Sequence, residues 1–551
     1  MKKLLLILIS IITTNAYSQA PNWQWVQSAG GSDAEDGNKI ASDAAGNIYM
    51  TGNFRSSTVT FGNFVLTNAG NLNEDMFIVK YDSGGAVLWA KSAGASGSDR
   101  AFSISVDKSG NIYVVGSYNS STITFGTTTL TNTNTSYDMF FVKYDVNGNV
   151  IWAKSIGGTN NDFVTAVKAD TLGTFYAAGY FFSSNITFNT TTITNSGSPD
   201  VFIAKFDING NAIWAKSAIG TTFSSEVISG ITTDNSGNCY VIGNSNSTTL
   251  SFDSFTLTTA GNQDLFVVKY SGSGNVLWAK REGGTSSDRA TYITTDNTGN
   301  YIYVSAAFES TNLIIGSTLL TNNGATDMLV VKYDLEGNAQ WAESAGGIEN
   351  DYANSITVDA FGNTYIIGYF ESPSITFGSI TLNNATPTMD IDDMYLVKYD
   401  SNGNALWAFN VGGTNRDYGF GVTITPPGNL YVAGYFYSPT LNFGTIALSN
   451  AGGADVFLAK LSSTTVGLAE TKAQNKFSIY PNPANKFLTV QYSENIKEVK
   501  IINVFGQEVY QTILAESTNK YELSTSNLMP GIYFIQLKTS TKTLKQKFSK
   551  L

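Results

Sequence analysis

The chain has 551 residues, no histidine, one cysteine and a formal net charge of −11. Without histidine there is no Ser-His-Asp or Cys-His catalysis, no imidazole metal site and no imidazole pH switch, and a single cysteine allows no disulfide within the chain. Charged residues make up 14% of it, against roughly 25% in ordinary globular proteins, and the acidic balance argues against nucleic acid, whose phosphates need clustered Lys and Arg.

Gly, Asn, Ser and Thr take the place of the missing charges, and aromatics reach 13%. That is a turn-rich β composition, not a disordered one. The charge is uneven: residues 477–551 hold nine Lys and five acids, a net +4, which leaves −15 for the rest.

Residues 1–18 read as a signal peptide. Lys2 and Lys3 form a positive start, residues 4–12 an apolar run, and Ala16-Tyr17-Ser18 a small-x-small cleavage site before Gln19. The run is too short to span a bilayer, and no later stretch is long and apolar enough for a transmembrane helix. Export is therefore expected.

Tryptophans then fall at 25, 89, 152, 214, 278, 341 and 407, in steps of 64, 63, 62, 64, 63 and 66 residues. Fixed self-similarity of this kind marks a repeat architecture. Each unit holds four short runs that alternate apolar and polar residues, the half-buried strand pattern. In the second unit they are Ala101-Phe102-Ser103-Ile104-Ser105-Val106 (strand a), Asn111-Ile112-Tyr113-Val114-Val115-Gly116 (b), Met139-Phe140-Phe141-Val142-Lys143-Tyr144 (c) and Val150-Ile151-Trp152-Ala153-Lys154 (d). Cys239 sits in such a run and reads as a buried structural thiol.

Strands a, b and c occur seven times, but d follows c only six times. The seventh d is missing after Lys460, and an orphan d, Trp23-Gln24-Trp25-Val26-Gln27-Ser28, opens the repeat region. Seven complete units result only if the N-terminal strand pairs with the last strand c. That predicts an all-β chain: a seven-bladed β-propeller of four-stranded blades over residues 19–461, closed by its N-terminal strand. A polar linker at 462–476 and a small C-terminal β-sandwich domain at 477–551, of about seven short strands, complete it.

The recurring Asp-x-x-Gly-Asn-x-Tyr-Val-x-Gly and Phe-x-Val-Lys-Tyr-Asp-x-x-Gly-Asn-x-x-Trp-Ala-Lys blocks resemble the bacterial seven-bladed β-propeller repeats of exported proteins. In the tail, Ser478-Ile479-Tyr480-Pro481-Asn482-Pro483-Ala484, the run from Lys500 to Tyr510, the run from Leu528 to Leu537 and the basic end Lys545-Gln546-Lys547-Phe548 resemble the C-terminal sorting domain of type IX secretion in Bacteroidetes. The second resemblance implies the type IX machinery as a partner and an extracellular or outer-membrane-surface location. The first is specific for fold and says little of activity.

The loops are where binding or catalytic groups would stand. In a propeller the a-b and c-d turns emerge on one face, and the b-c and d-a loops on the other. The first kind is short, as in Asp145-Val146-Asn147-Gly148-Asn149, where Asp binds the backbone two residues on and Gly takes positive φ. The Asp-x-Asn-x-Asn spacing also admits a Ca²⁺ loop, although no bidentate Glu follows at the twelfth position. The b-c connections are long and carry an Ile-Thr-Phe-Gly-like motif, read as an extra hairpin with its own Phe core. Seven such additions nominate their face for binding.

Two acidic sets should lie on that face. Glu35, Asp99, Asp162, Glu226, Asp288, Asp351 and Asp417 precede strand a and are expected around the channel mouth, as junction hydrogen-bond acceptors or as ligand-binding groups. Asp75, Asp138, Asp200, Asp264, Asp327, Asp393 and Asp455 open strand c. Carboxylates about 10 Å apart repel by only ~0.4 kcal/mol in water but several-fold more when dry, so a dry ring needs neutralising. Asp390, Asp392 and Asp393 break the repeat and form a weak metal candidate; otherwise no cofactor is expected. The near-perfect repetition favours a binding or adhesion scaffold for glycan or surface protein. A polysaccharide-active enzyme using a carboxylate or Tyr is the alternative.

Overall fold

The computed structural model describes residues 21–70, 73–170, 173–197, 199–221, 225–387, 391–426, 428–462, 477–503, 508–529, 531–540 and 542–550. The predicted signal peptide lies outside these residues, as does all of the predicted linker except Ser462. The chain divides into two units, 1–464 and 465–551, and its described secondary structure is entirely strand.

The first unit contains seven four-stranded antiparallel sheets among the described residues. Six are built from contiguous chain in the order a-b-c-d. The second, for instance, comprises Asp99–Val106, Ile112–Tyr118, Asp138–Tyr144 and Val150–Ile156. The seventh takes a, b and c from Asp417–Ile424, Leu430–Phe436 and Asp455–Leu461, and d from Trp23–Ala29 at the other end of the chain. Trp25 lies opposite Lys460 and Ala29 opposite Val456. Each strand a packs against the next, and Asp417–Ile424 packs against Glu35–Ser42. This is a closed ring with strand a at the channel and strand d outside, closed by the N-terminal strand as expected. The acids expected before strand a are its first residues.

The apolar faces of neighbouring sheets meet, so the cores lie between blades. One core, for example, joins Tyr365, Leu396 and Trp407 of the sixth sheet to Val422, Val432 and Phe457 of the seventh. A recurring clamp ties each blade to the next. In the first blade Lys80 Nζ and Trp89 Nε1 both donate to the Val146 carbonyl of the following c-d turn, at 2.9 and 3.3 Å. The Lys ammonium also sits over a strand b tyrosine, 4.8–5.5 Å from its centroid, in all seven blades. The turn glycine is required twice over: Gly148 has φ +79°, and a Cβ there would come within 2.9 Å of the Trp89 ring.

The tryptophan bond of the clamp is missing at both joints of the seventh blade, at Trp25 and at Trp407. The seventh blade draws c and d from opposite chain ends, so it has no c-d turn to receive Trp407, and Trp407 Nε1 is buried without a partner. Aromatic packing takes over. Phe409 stands where other d strands carry Lys, Glu or Gln and stacks on Trp407 at 5.3 Å, and Trp23 meets Phe409 and Phe443 edge-on at 5.3 and 4.9 Å. A bulge between Trp23 and Trp25 sends the two rings to opposite faces of the sheet: Trp23 into the core shared with the sixth blade, Trp25 into the core shared with the first.

The expected b-c hairpins are present as seven two-stranded sheets, such as Thr58–Phe61 with Phe64–Thr67. Their central aromatics are buried, Phe61, Phe125, Phe188, Phe252, Phe377 and Phe443, with Ile315 in the fifth copy. The turn position has φ between +49 and +62° in every copy, and the two that are not Gly are Asn189 and Asp253, the residue types that tolerate this conformation.

The second unit is one five-stranded sheet: Ser478–Tyr480, Phe487–Asn503, Glu508–Ser524, Gly531–Lys538 and Thr543–Lys550. The expected count of about seven short strands is corrected. Two strands run for 17 residues each and are interrupted by irregular pairing between Gln491 and Glu498, so each reads as two short runs in sequence. Leu488, Val490, Val499, Ile501, Ile535 and Leu537 form its core.

Candidate functional site

The seven strand a acids are not at an accessible rim. Glu35, Asp99, Asp162, Glu226, Asp288, Asp351 and Asp417 all have 0% exposure. They stand at the channel end of strand a but are closed off from solvent, for a local reason. Each carboxylate folds back onto the loop that precedes it and onto a serine just beyond strand b. Asp162 accepts from Gly158 N at 2.8 Å and Ser183 Oγ at 2.7 Å, and Asp351 accepts from Gly347 N at 2.6 Å and Ser372 Oγ at 2.8 Å. Ser247 serves Glu226 in the same way. Burial pushes Glu35, Asp351 and Asp417 up to about 7, with the hydrogen bonds opposing.

The strand c acids are buried beside them. Asp75 accepts from Ala69 N at 2.7 Å and Asp455 from Ala451 N at 2.9 Å. Burial raises Asp75 and Asp138 to about 6, and the strand a acid of the next blade, Asp99 or Asp162, adds like-charge repulsion. The ring is therefore dry. These groups lock blade junctions.

Of the acidic cluster, Asp390 lies outside the described residues. Asp392 accepts from Tyr418 Oη at 2.9 Å and has Arg416 Nε at 3.7 Å, while Asp393 accepts from Ala385 N at 2.6 Å. The two face different partners, and among the described residues no three acids, Cys or His are grouped to hold a metal ion. In the turns, Asp145 Oδ1 accepts from Asn147 N and Asn149 N, both at 2.8 Å, and Oδ2 accepts from Asn149 Nδ2 at 2.8 Å. The Asp-x-Asn-x-Asn pattern here is turn chemistry.

The hairpins do not surround the mouth. Each packs on strand d of its own blade, the outermost strand, so they form an outer rim. The mouth is built from the first turn of strand a and the end of strand b. Here the sevenfold repetition breaks. The residue after the buried acid is Asp36, Arg100, Phe163, Val227, Arg289, Tyr352 or Tyr418, and its partner on strand b is Asn53, Ser117, Tyr180, Asn244, Ala307, Tyr369 or Tyr435.

Blades six and seven thereby assemble an aromatic arc. Tyr352 packs on Tyr369 at 5.2 Å, Tyr369 on Tyr418 at 4.7 Å, Tyr418 on Tyr435 at 5.2 Å, and Tyr435 on Phe420 and Tyr437 at 5.2 and 6.1 Å. Tyr437 is 36% exposed. A smaller group joins Tyr137 of blade two to Phe163, Tyr180 and Phe182 of blade three. Charges continue the arc into blades one and two: Arg55 donates to Glu74 at 2.9 Å, Arg100 pairs with the other Glu74 oxygen, and burial with the Glu74 charge raises Asp36. Strand alternation and repeat spacing do not single out these aromatics. Comparing the seven copies position by position would have found them, because an invariably acidic position is followed by one that differs in nearly every copy.

Below the mouth the channel is bridged. Lys39 of blade one reaches across to Tyr292 of blade five, its ammonium 4.5 Å from the ring centroid. Deeper still lie two adjoining cavities, of about 200 and 300 Å³, toward the a-b turns.

The secretion system C-terminal sorting domain family matches residues 478–550, and the beta-propeller repeat family matches residues 88–121. The sorting tail marks this propeller for export by type IX secretion, to the cell surface or the medium, and among the described residues no helix is long and apolar enough to cross a membrane. An uncharacterized WD repeat-containing protein of Acanthamoeba polyphaga mimivirus is 25% identical over 521 residues, covering 76% of this chain and 36% of that protein. Regulatory protein FlaEY of Caulobacter vibrioides is 23% identical over 266 residues, 48% of this chain and 26% of that one. The chain thus spans only about a quarter to a third of the length of these curated relatives. Among solved structures, the Neurospora crassa Pan2 WD40 domain aligns over 80% of this chain and 97% of its own at 9% identity, with a TM-score of 0.37. Dipeptidyl peptidase 4 of Porphyromonas gingivalis aligns over 91% of this chain and 64% of its own at 10% identity, with a TM-score of 0.31.

Proposed function

We propose that this exported propeller is a binding scaffold that takes a glycan across the channel mouth, on the tyrosine arc of blades six and seven. The observation that carries this reading is the break in symmetry at the mouth. A ring needs the same residues at each junction, and it has them. It does not need six adjoining aromatics on two blades, partly open to solvent. Tyr and Phe rings offer flat apolar faces to a pyranose ring, and the nearby Asp392–Arg416 and Glu74–Arg55–Arg100 groups offer donors and acceptors for its hydroxyls. The sorting tail supports the reading by placing such a surface outside the cell.

The test is a glycan array on the full chain, repeated with Tyr437→Ala and Tyr418→Ala. Binding should fall at least about tenfold, equivalent to about 1.4 kcal/mol, with folding intact by circular dichroism. Unchanged binding in both variants would refute the site. The same preparations, assayed for polysaccharide cleavage, decide the enzymatic alternative: turnover abolished by Asp36→Asn would replace the scaffold reading.

A further inference from the structure

The lower channel holds a chamber that neither the ring nor the mouth explains. Each of the seven blades contributes one hydrogen-bonding side chain to the wall of the 200 Å³ cavity. Blade three contributes Lys168. The other six contribute hydroxyls: Ser42, Ser105, Thr232, Thr294, Thr357 and Thr423. No carboxylate lines this cavity, in a chain whose net charge is −11. The Lys39–Tyr292 bridge crosses above it, and Tyr292 forms part of its wall.

We propose that this chamber binds a small oxyanion of the phosphate or sulfate type, held by the Lys168 ammonium and the encircling hydroxyls. Hydroxyl hydrogens rotate and can turn toward a central acceptor, although two are engaged as the chamber stands: Thr294 Oγ1 donates to the Thr295 carbonyl at 3.3 Å and Thr232 Oγ1 meets Thr295 Oγ1 at 3.4 Å, so an anion would have to draw these two away. Ser105 Oγ already accepts from Ala169 N at 3.0 Å, which leaves its hydrogen to donate inward. Ser42 and Thr423 share a hydrogen bond of 3.3 Å, which leaves one hydrogen of the pair to donate inward. Among the described residues Lys168 has no ion-pair partner, and burial alone lowers its pKa; an uncompensated ammonium in a confined space is costly, and an anion offsets that cost.

The bridge makes the a-b turn face the way in. There the 300 Å³ vestibule carries Asp170, Asp234 and Asp296, each engaged with its own turn: Asp170 with Thr174 N, Asp234 with Ser236 N and Asp296 with Thr298 Oγ1. Their charges repel an extended polyanion more than a single small one. The chamber is thus built for one compact anion, distinct in ligand and in entrance from the tyrosine mouth.

The experiment is calorimetric titration of inorganic phosphate, and separately of sulfate, into the full chain at constant ionic strength. Wild type should bind one anion per chain. Lys168→Met should weaken it at least about tenfold, Lys168→Arg should retain it, and Lys108→Ala in the vestibule should leave it unchanged. Without phosphate, Lys168→Met should melt no lower than wild type, because it removes a desolvated charge. Thr357→Val, which leaves the lysine in place, should also weaken binding. No saturable heat in wild type, or equal affinity in wild type and Lys168→Met, would overturn the proposal.

Discussion

The clasp of the ring gives the sharpest test. Replacing both Trp23 and Trp25 with alanine keeps the backbone of Trp23–Ala29, so its pairing with Asp455–Leu461 and its ordering cost stay in place. What is lost is side-chain packing. Buried Trp→Ala changes cost about 3–5 kcal/mol; both rings are only partly buried, so the lower end, about 3 kcal/mol each, is appropriate. The two rings enter different cores, so the costs should add to about 6 kcal/mol. That is comparable with the whole stability of many domains, 5–15 kcal/mol. Gln27→Ala, an exposed change on the same strand, should stay within about 0.5 kcal/mol. Urea unfolding followed by tryptophan fluorescence reads this cleanly, because all eight Trp lie in the first unit and six survive in the variant. A loss below about 2 kcal/mol, less than one buried Trp→Ala, would refute the idea that the first strand holds the ring shut.

Burial raises the pKa of Glu35, Asp351 and Asp417 to about 7 and of Asp75, Asp138, Asp327 and Asp393 to about 6. The folded state then holds protons that the unfolded state releases near pH 4. Stability is therefore full below pH 4 on this account and lost as pH rises through about 6–7, with a slope of about 1.4 kcal/mol per pH unit for each extra proton held. Thermal melts at pH 5.5 and 8 check it; a higher Tm at pH 8 would contradict it. Asp351→Ala strands the Gly347 amide and the Ser372 hydroxyl and should cost about 1–3 kcal/mol, measured by the same melts, with Asp351→Asn milder. Trp341→Phe removes a bond to the Ser401 carbonyl of 3.1 Å, whereas Trp407→Phe removes none. Chemical denaturation should show the first costing about 1 kcal/mol more.

The architecture was legible because its signals repeat. Strand alternation, the Trp spacing and a missing seventh d strand are each read along the chain, and the closing pair Trp25 and Lys460 follows from counting. The junction acids were legible as a set but not in their orientation. Whether Asp162 faces the channel or folds back to Ser183 depends on a loop conformation and on a serine 21 residues away. The mouth was hidden for the opposite reason. Tyr352 and Tyr418 share a repeat position that holds no fixed residue type in the other blades, and their partnership with Tyr437 arises only when blades six and seven meet. The Lys39–Tyr292 contact joins equivalent positions of blades one and five, four repeats apart, and only closure of the ring sets them across the channel from each other. In the tail, one bent strand looks like two because alternation is interrupted where pairing is irregular.

The seam in the seventh blade also orders events in time. Six sheets can form as soon as their own contiguous stretch has been synthesised, but the seventh waits until residues 455–461 exist to meet residues 23–29. Bringing chain ends more than four hundred residues apart together costs on the order of 5 kcal/mol for a flexible chain, and far less once six blades have already bent the chain into an arc. A nascent or truncated chain that stops before residue 455 therefore keeps an unfilled gap, with Trp23–Ala29 lacking its partner and an edge open to association with other chains. Ring closure thus reports that the whole propeller has been made.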